Sequence, residues 1–214
     1  MKKILFTFTI FLMIFLIYYF NINNNIQYLS MGDYLSYGIN NNNIVDNNYS
    51  NNIKKQYKNK IDKYVNYSTI EDYRVMDLLN DINDNKIIKY NGKEYTLQNL
   101  LIKANYITLS IGMNDLLNKK NITYEYMDQL INDIEKLFIL IRKYNKDRID
   151  YLGFYNIINN ETLIEYANTR LRLISNKNKI NYIDITNLNC FITDLYPNNE
   201  GYNYITNQIL NFTK

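Results

Sequence analysis

The residues that could perform chemistry in this chain are limited by the absence of histidine. Histidine is the usual general base at neutral pH and the commonest zinc ligand, so both roles lack their ordinary residue. Cys190 is the one cysteine, which excludes an internal disulfide and a cysteine-rich metal site. The 23 tyrosines have phenols that titrate near pH ~10, so a tyrosine nucleophile would need a base at neutral pH.

Three short polar strings stand out by their order and by their position at the ends of apolar runs. They are residues 29–38 (LSMGDYLSYG), residues 110–116 (SIGMNDL) and residues 194–198 (DLYPN), the last followed by Gly201 and Tyr202. Any one of them is weak evidence, because a string such as G-x-N-D occurs in many turns. Together and in this order they are strong evidence for one family of folds.

The three strings resemble the ordered blocks of the SGNH hydrolases, the GDSL-type esterases and lipases. The first resembles G-D-S-L-[ST]-x-G, with Tyr34 at the position of the nucleophilic serine. The second fits G-x-N-D without a substitution and contains Gly112 and Asn114. The third resembles D-x-x-H-P-N, with Asp194 followed by Tyr196 at the position of the catalytic histidine and one residue fewer between them.

This resemblance implies acyl transfer by a serine that a histidine activates and an aspartate orients, with an asparagine and backbone N–H groups stabilising the oxyanion. Asp194 and Asn114 keep the orienting and oxyanion positions, whereas the nucleophile and the base are replaced. The remaining block supplies a glycine N–H, and its best placement, ahead of residues 77–79, puts Asp72 there. A carboxylate at that place would repel the developing negative charge. The family needs no metal or cofactor, so we expect none.

Three hypotheses follow from these replacements, and one of them is a degenerate remnant with no selected function. Losing one triad member in a serine hydrolase costs on the order of 10⁴ to 10⁶ in kcat, which favours a domain without catalysis that binds an acylated glycan, a wall polymer or a partner protein. The alternative is an active esterase or acylhydrolase with a rearranged nucleophile and base. Ser30, Ser36 and Ser110 lie near the lost nucleophile, but no histidine exists to activate them.

The elements that must position these strings alternate between apolar runs and helical patterns. This order predicts an α/β fold, a three-layer α/β/α sandwich with a central parallel sheet of the SGNH and flavodoxin-like kind. Asn91 and Gly92 predict a hairpin inserted at residues 87–97, because both tolerate the positive φ of a tight turn. The remaining predictions are strands at 26–31, 106–111, 149–155 and 180–185, helices at 53–64, 74–82, 97–104, 124–144, 161–175 and 199–212, and a poor strand candidate at 65–70.

The N-terminus predicts membrane targeting. Lys2 and Lys3 precede an apolar segment at residues 4–20, just below the ~18 to 20 residues that span a bilayer as a helix. No small-residue cleavage site follows, which favours an uncleaved signal anchor over a cleaved signal peptide. With the lysines inside, residues 23–214 form one domain outside the cytoplasm, membrane-anchored, or secreted if residues 1–22 are removed.

The charge of the chain excludes some classes of partner. Lys and Arg number 24 and Asp and Glu number 21, and this net charge of +3 is too small and too evenly spread along the sequence to indicate a nucleic-acid partner. We expect a cell-envelope glycan or an acylated small molecule as the ligand and the membrane as the attachment. The sequence carries no indication of oligomeric state.

Overall fold

The computed structural model describes residues 10–13, 26–39, 47–58, 60–68, 72–193 and 196–212. Their centre is a five-stranded sheet in which all neighbouring strands are parallel. In spatial order its strands are β2 (Ile61–Ser68), β1 (Ile26–Gly32), β5 (Tyr106–Ser110), β6 (Arg148–Leu152) and β7 (Asn181–Ile183).

Helices flank the sheet in two groups. α2 (Tyr49–Gln56) packs against α8 (Asn199–Asn211). A second group, whose members also pack against one another, comprises α3 (Val75–Asn83), α4 (Leu97–Lys103), α6 (Tyr124–Tyr144) and α7 (Glu161–Lys177). Three short helices complete the described part: α1 (Tyr34–Tyr37), α5 (Met113–Leu117) and a 3-10 helix (Thr186–Phe191). The predicted α/β fold with a central parallel sheet and flanking helices is therefore present.

The core lies between the sheet and these helices. All five residues of β5 are buried, as expected of a central parallel strand that is covered on both faces. On α6 the stripe of Leu130, Ile134, Leu137 and Ile141 is buried, which confirms that its helical spacing marks core packing. The core thus covers β1 and β5 in the interior of the sheet.

The strand order places a crevice between β1 and β5. Taken in chain order, the five strands run 2-1-3-4-5 across the sheet, as in flavodoxin-like folds. Successive connections leave in opposite directions at the point between β1 and β5, and ligands in such sheets bind there, beyond the carboxyl ends of the strands. Gly32 and Ser110 are paired at that end. The first two polar strings therefore meet at this point.

One predicted element is wrong, and the poor strand candidate is a strand. The helix predicted at residues 53–64 ends at Gln56. Residues 65–68 of the strand candidate belong to β2, which begins at Ile61 and ends at Ser68, and residues 69 and 70 lie outside the described residues. Val65 and Tyr67 are buried at alternating positions of β2, so this stretch follows the strand period. Hydrogen bonding to β1 stabilises the extended chain, and a local pattern does not contain that pairing.

The remaining predicted strands and helices are confirmed, with ends that differ by at most three residues. The hairpin is confirmed as an antiparallel pair, β3 (Ile87–Tyr90) and β4 (Lys93–Thr96), that forms its own two-stranded sheet. Asn91 and Gly92 have φ values of 49° and 72°, as the turn requires. A second short pair, β8 (Ile192–Thr193) and β9 (Tyr196–Pro197), precedes α8.

Most of the apolar N-terminal segment lies outside the described residues. Residues 10–13 form one helical turn whose apolar side chains are exposed. Within the ranges that the structure describes, no helix has the length and apolar character needed to cross a bilayer. The division into residues 1–22 and 23–214 stays a prediction.

Candidate active site

The site is built on a close approach between the ends of β1 and β5. Gly32 has a φ of 132°, and a Cβ at this position would lie 1.7 Å from the carbonyl oxygen of Ser110. The N–H of the following residue, Asp33, donates to the same carbonyl oxygen at 2.8 Å. Only glycine fits here, and its presence brings the loops after the two strands together.

Tyr34, at the position of the family's nucleophile, is the first residue of α1 and is 1% exposed. Its hydroxyl forms a 2.5 Å hydrogen bond with the hydroxyl of Tyr155, and its ring lies edge-on to that of Tyr196, with centroids 5.4 Å apart. Burial raises the pKa of Tyr34 well above its usual value. The side chain therefore fills the interior as a neutral phenol.

Tyr196, at the position of the family's base, lies on β9 and is half-buried. The fold thus brings together the two tyrosines that stand at the nucleophile and base positions, although they are 162 positions apart in the sequence. Asp194, the orienting acid in the resemblance, lies outside the described residues.

Asn114, at the oxyanion position, sits in the first turn of α5 and is 4% exposed. Gly112 caps this helix with a φ of 108°, and a Cβ there would come within 3.0 Å of the Phe154 ring. The Asn114 side-chain nitrogen donates to the carbonyl oxygen of Tyr73 at 3.1 Å. One of its N–H groups is thereby bound to the protein itself.

Asp72 has a φ of 42°, a left-handed conformation that glycine adopts without strain. This conformation is compatible with the placement of Asp72 at the glycine of the family's remaining block. The expected repulsion of an oxyanion needs correction, because the carboxylate is 63% exposed and accepts hydrogen bonds from Arg74 at 2.9 Å and Asn118 at 2.6 Å. Its charge is offset by the guanidinium and directed to solvent.

The serines near the lost nucleophile belong to a buried hydroxyl network. The Ser110 hydroxyl donates to Oδ1 of Asp33 at 3.0 Å and lies 2.9 Å from the Ser36 hydroxyl. Ser36 in turn bonds to Tyr49 at 2.5 Å, and the Tyr49 hydroxyl lies 3.5 Å from that of Ser30. All three serines are at most 1% exposed, so their hydroxyl groups stabilise the core at the ends of the strands.

Two buried carboxyl groups accompany this network. Oδ1 of Asp33 also accepts the N–H of Leu35, whereas Oδ2 has no hydrogen-bond partner among the described residues. Burial raises the pKa of Asp33 to about 7. Asp115 accepts the N–H of Val75 at 3.2 Å, and burial raises its pKa to about 6. Both groups are structural caps whose protonation responds to pH.

Sequence reasoning missed the partners of the site residues. The sequence places Tyr155 at the end of the predicted strand at 149–155 but does not indicate that it is the partner of Tyr34, and it assigns no role to Tyr73. Tyr155 lies in the loop after β6, and Tyr73 lies in the loop before α3. The alternation of strand and helix is therefore the one signal that could have found them.

The described surface opens cavities at places other than the nucleophile position. Five of the cavities on it have volumes of 280 to 770 Å³, and Tyr34, Asn114 and Tyr196 line none of these five. The 770 Å³ cavity lies between α7, the 3-10 helix and α8, and its lining is largely polar and includes Asn168 and Asn187. Among the described residues, no group of three or more cysteines and carboxylates is arranged to hold a metal ion.

The comparison with solved structures agrees with this geometry, whereas the sequence comparisons found no match. No family model and no curated protein matches the sequence. Among solved structures, the chain is similar to the lipase Lip_vut3 from a goat rumen metagenome, with a TM-score of 0.70 and 16% identity over 87% of this chain and 97% of that one.

Two further structures have the same architecture. One is a member of the lipolytic G-D-S-L family from Veillonella parvula, with a TM-score of 0.62 and 14% identity over 88% and 98% of the two chains. The other is the acetyl xylan esterase AlAXEase, with a TM-score of 0.65 and 16% identity over 88% and 100%. The parallel sheet, the switch point and these likenesses lead to one conclusion: the chain has the fold of the SGNH hydrolases.

Proposed function

We propose that this chain is a catalytically inactive SGNH-type domain, held outside the cytoplasm by its N-terminal segment, that binds an acylated glycan or wall polymer. The main support for the loss of catalysis is the burial of Tyr34, which stands at the position of the family's serine nucleophile. Its hydroxyl forms a hydrogen bond with that of Tyr155 and does not face a substrate.

The chemistry around Tyr34 supports this proposal. A phenol must ionise to attack an ester, and burial raises its pKa well above the usual value of about 10. The groups in contact with it, Tyr155 and Tyr196, are themselves phenols and are poor bases at neutral pH. With one N–H of Asn114 bound to Tyr73, stabilisation of an oxyanion is also weakened.

The ligand part of the proposal is supported by the 770 Å³ cavity near the carboxyl ends of the strands. Its lining combines amide, hydroxyl and carboxylate groups, which can exchange hydrogen bonds with the hydroxyl groups of a sugar. One structural neighbour is described as an acetyl xylan esterase, which acts on an acetylated glycan. We therefore assign this cavity as the place for the glycan.

The alternative is an active esterase or acylhydrolase with a rearranged nucleophile and base. Burial of Ser30, Ser36 and Ser110 counts against it, because a substrate carbonyl would have to reach hydroxyl groups that are at most 1% exposed. A fluorophosphonate probe tests it directly. Covalent labelling of any of these serines in the folded chain would favour the alternative, and we expect no labelled peptide.

The main test is hydrolysis of p-nitrophenyl acetate and butyrate by the full-length chain in detergent. We expect the parent and Asn114→Ala to match the buffer background. The double variant Tyr34→Ser, Tyr196→His restores the family's nucleophile and base and should gain activity of about tenfold or more over the parent, provided that circular dichroism shows it folded. Turnover by the parent that Asn114→Ala abolishes would overturn the proposal.

Ligand binding is tested with acetylated xylo-oligosaccharides and soluble peptidoglycan fragments. We expect Asn187→Ala, in the 770 Å³ cavity, to weaken binding about fivefold or more, since a side chain that bonds a sugar is lost. Asn121→Ala, at a different cavity beside α6, is the matched control and should bind as the parent does. A glycan array without a binder above background would contradict this part.

A further inference from the structure

The parallel sheet gives the molecule two chemically different edges. The amino ends of all five sheet strands lie at one edge, and helices that run antiparallel to them end there as well. We call this the amino edge and define it by the first residues of the sheet strands together with the last turns of α2, α3, α4, α6 and α7 and the residues that follow them. The candidate active site lies at the opposite, carboxyl edge.

Basic residues are concentrated at the amino edge. Thirteen of the 24 lysines and arginines of the chain lie there, against five of the 21 acids. The cations are Lys54, Lys55, Lys58, Lys60, Lys63, Lys86, Lys103, Arg142, Lys143, Lys146, Arg148, Lys177 and Lys179, and the acids are Asp62, Asp81, Asp84, Asp147 and Asp150. Charges that are evenly spread along the sequence are therefore segregated in space.

A 690 Å³ cavity opens within this edge between the ends of α6 and α7 and the starts of β6 and β7. Five cations line it, Arg142, Lys146, Arg148, Lys177 and Lys179, with Asp147 as its one acidic residue. Two of these cations are ion-paired, Arg148 with Asp150 and Lys177 with Glu135 at 2.8 Å. The other three, Arg142, Lys146 and Lys179, border a volume large enough for a phosphate group with its substituents.

The hydrogen bonds of two of these cations leave their charge uncompensated. Arg142 donates to the backbone carbonyls of Asn178, Lys179 and Asp147, and Lys146 donates to the carbonyl of Arg142. Carbonyl oxygens orient these groups without neutralising them. An anion in the cavity would therefore meet positioned positive charge.

The course of the chain points to what covers this edge. β1 begins at Ile26, at the amino edge, and residues 21–25 connect it to the apolar segment at 4–20. Five residues reach at most about 18 Å when fully extended. A segment embedded in a bilayer would thus hold the amino edge within roughly two Debye lengths of the headgroups, each about 8 Å at physiological salt.

We infer that the amino edge docks on a membrane surface of anionic phospholipids, with the 690 Å³ cavity taking a headgroup phosphate. The inference rests on the proposed membrane attachment. Docking by this edge turns the carboxyl edge, with the candidate site and the 770 Å³ cavity, away from the membrane. A tethered domain whose basic face is adjacent to its tether meets the lipid surface before any soluble polyanion.

The test uses the full-length chain mixed with vesicles of phosphatidylcholine, alone or with about 30 mol% phosphatidylglycerol, at about 0.1 M NaCl. A brief pulse of a membrane-impermeant acetylating reagent is read lysine by lysine by mass spectrometry. We expect acetylation of Lys146 and Lys179 to fall about threefold or more on the anionic vesicles, while Lys119 and Lys120 at the carboxyl edge serve as internal controls and do not change.

Salt and matched variants complete the test. About 0.5 M NaCl, which shortens the screening length to about 4 Å, should restore acetylation. The pair Lys146→Glu, Lys179→Glu should abolish the protection of Lys177, whereas the pair Lys119→Glu, Lys120→Glu should leave it intact. Equal acetylation on both kinds of vesicle would overturn the inference, as would stronger protection by a soluble polyphosphate than by the vesicles.

Alkaline carbonate extraction of the same vesicles separates this inference from the proposed attachment. A chain that resists extraction yet is acetylated equally on both vesicles is anchored without docking, and the inference is then wrong. A chain that is extracted but protected on anionic vesicles docks without an anchor, and only the attachment is then wrong.

Discussion

Tyr34 and Asp33 are adjacent and fully buried, and burial acts on the two in different ways. For Tyr34 it favours the neutral phenol, which is already the state of an exposed tyrosine at neutral pH, so burying this side chain removes no charge from water. For Asp33 it favours the protonated acid, which an exposed aspartate does not keep at neutral pH. The nucleophile position has therefore become stable packing, while its neighbour makes stability depend on pH.

We predict that Asp33 destabilises the fold as the pH rises towards neutrality. Its folded pKa of about 7 lies above the unfolded value of about 3.9. Its contribution to the free energy of unfolding is therefore complete below pH ~3.9 and is lost as the pH rises from there to 7. Urea unfolding of the parent and of Asp33→Asn at pH 5 and pH 7 should show the parent losing about 2 kcal/mol relative to the variant. Asparagine keeps the acceptor for the N–H of Leu35. Parallel pH curves would contradict the prediction.

At the scale of elements, the junction of β1 and β5 sets the geometry of the site. The register pairs Gly32 with Ser110, and the N–H of Asp33 donates to the Ser110 carbonyl. The same loops then start α1 and α5, which carry Tyr34 and Asn114. A shift at this junction would move both positions together.

We predict that Gly32→Ala destabilises the fold by at least about 3 kcal/mol, because its Cβ would overlap the Ser110 carbonyl oxygen and its φ is positive. Gly92→Ala is the matched control, since Gly92 also has a positive φ but its Cβ would meet open space. It should cost about 1 kcal/mol. Chemical unfolding of both variants measures the difference, and equal losses would show that φ alone matters.

At the scale of the whole molecule, the parallel sheet separates a basic edge from the edge that bears the candidate site. Acids such as Asp72, Asp77 and Asp128 lie at or near the carboxyl ends of the strands, while cations gather at the amino ends. A domain with this polarity, attached through its first strand, would present its candidate site to the cell envelope.

We predict that the chain is retained by membranes and exposed outside the cytoplasm. Protease added to intact spheroplasts should digest residues 23–214, whereas a cytoplasmic control protein stays intact. If the N-terminal segment were a cleaved signal peptide, the chain would appear in the medium with the mass of residues from about 23 onwards. Protection from protease until the cells are lysed would overturn the predicted orientation.

Sequence by itself determined the features that depend on local pattern. The three polar strings identified the SGNH fold, Asn91 and Gly92 located the hairpin, and the spacing of α6 marked its core face, because turn chemistry and helical period involve neighbouring residues. The strings also marked Tyr34 and Asn114 as site positions.

Tertiary structure alone decided which groups meet. Tyr34 bonds to Tyr155 and Asn114 to Tyr73 across 121 and 41 positions of sequence, and β2 is a strand because it pairs with β1. The segregation of charge arises in the same way, from cations that are scattered along the chain but come together where parallel strands begin and helices end. Such contacts depend on the order of strands in the sheet, which no local pattern contains.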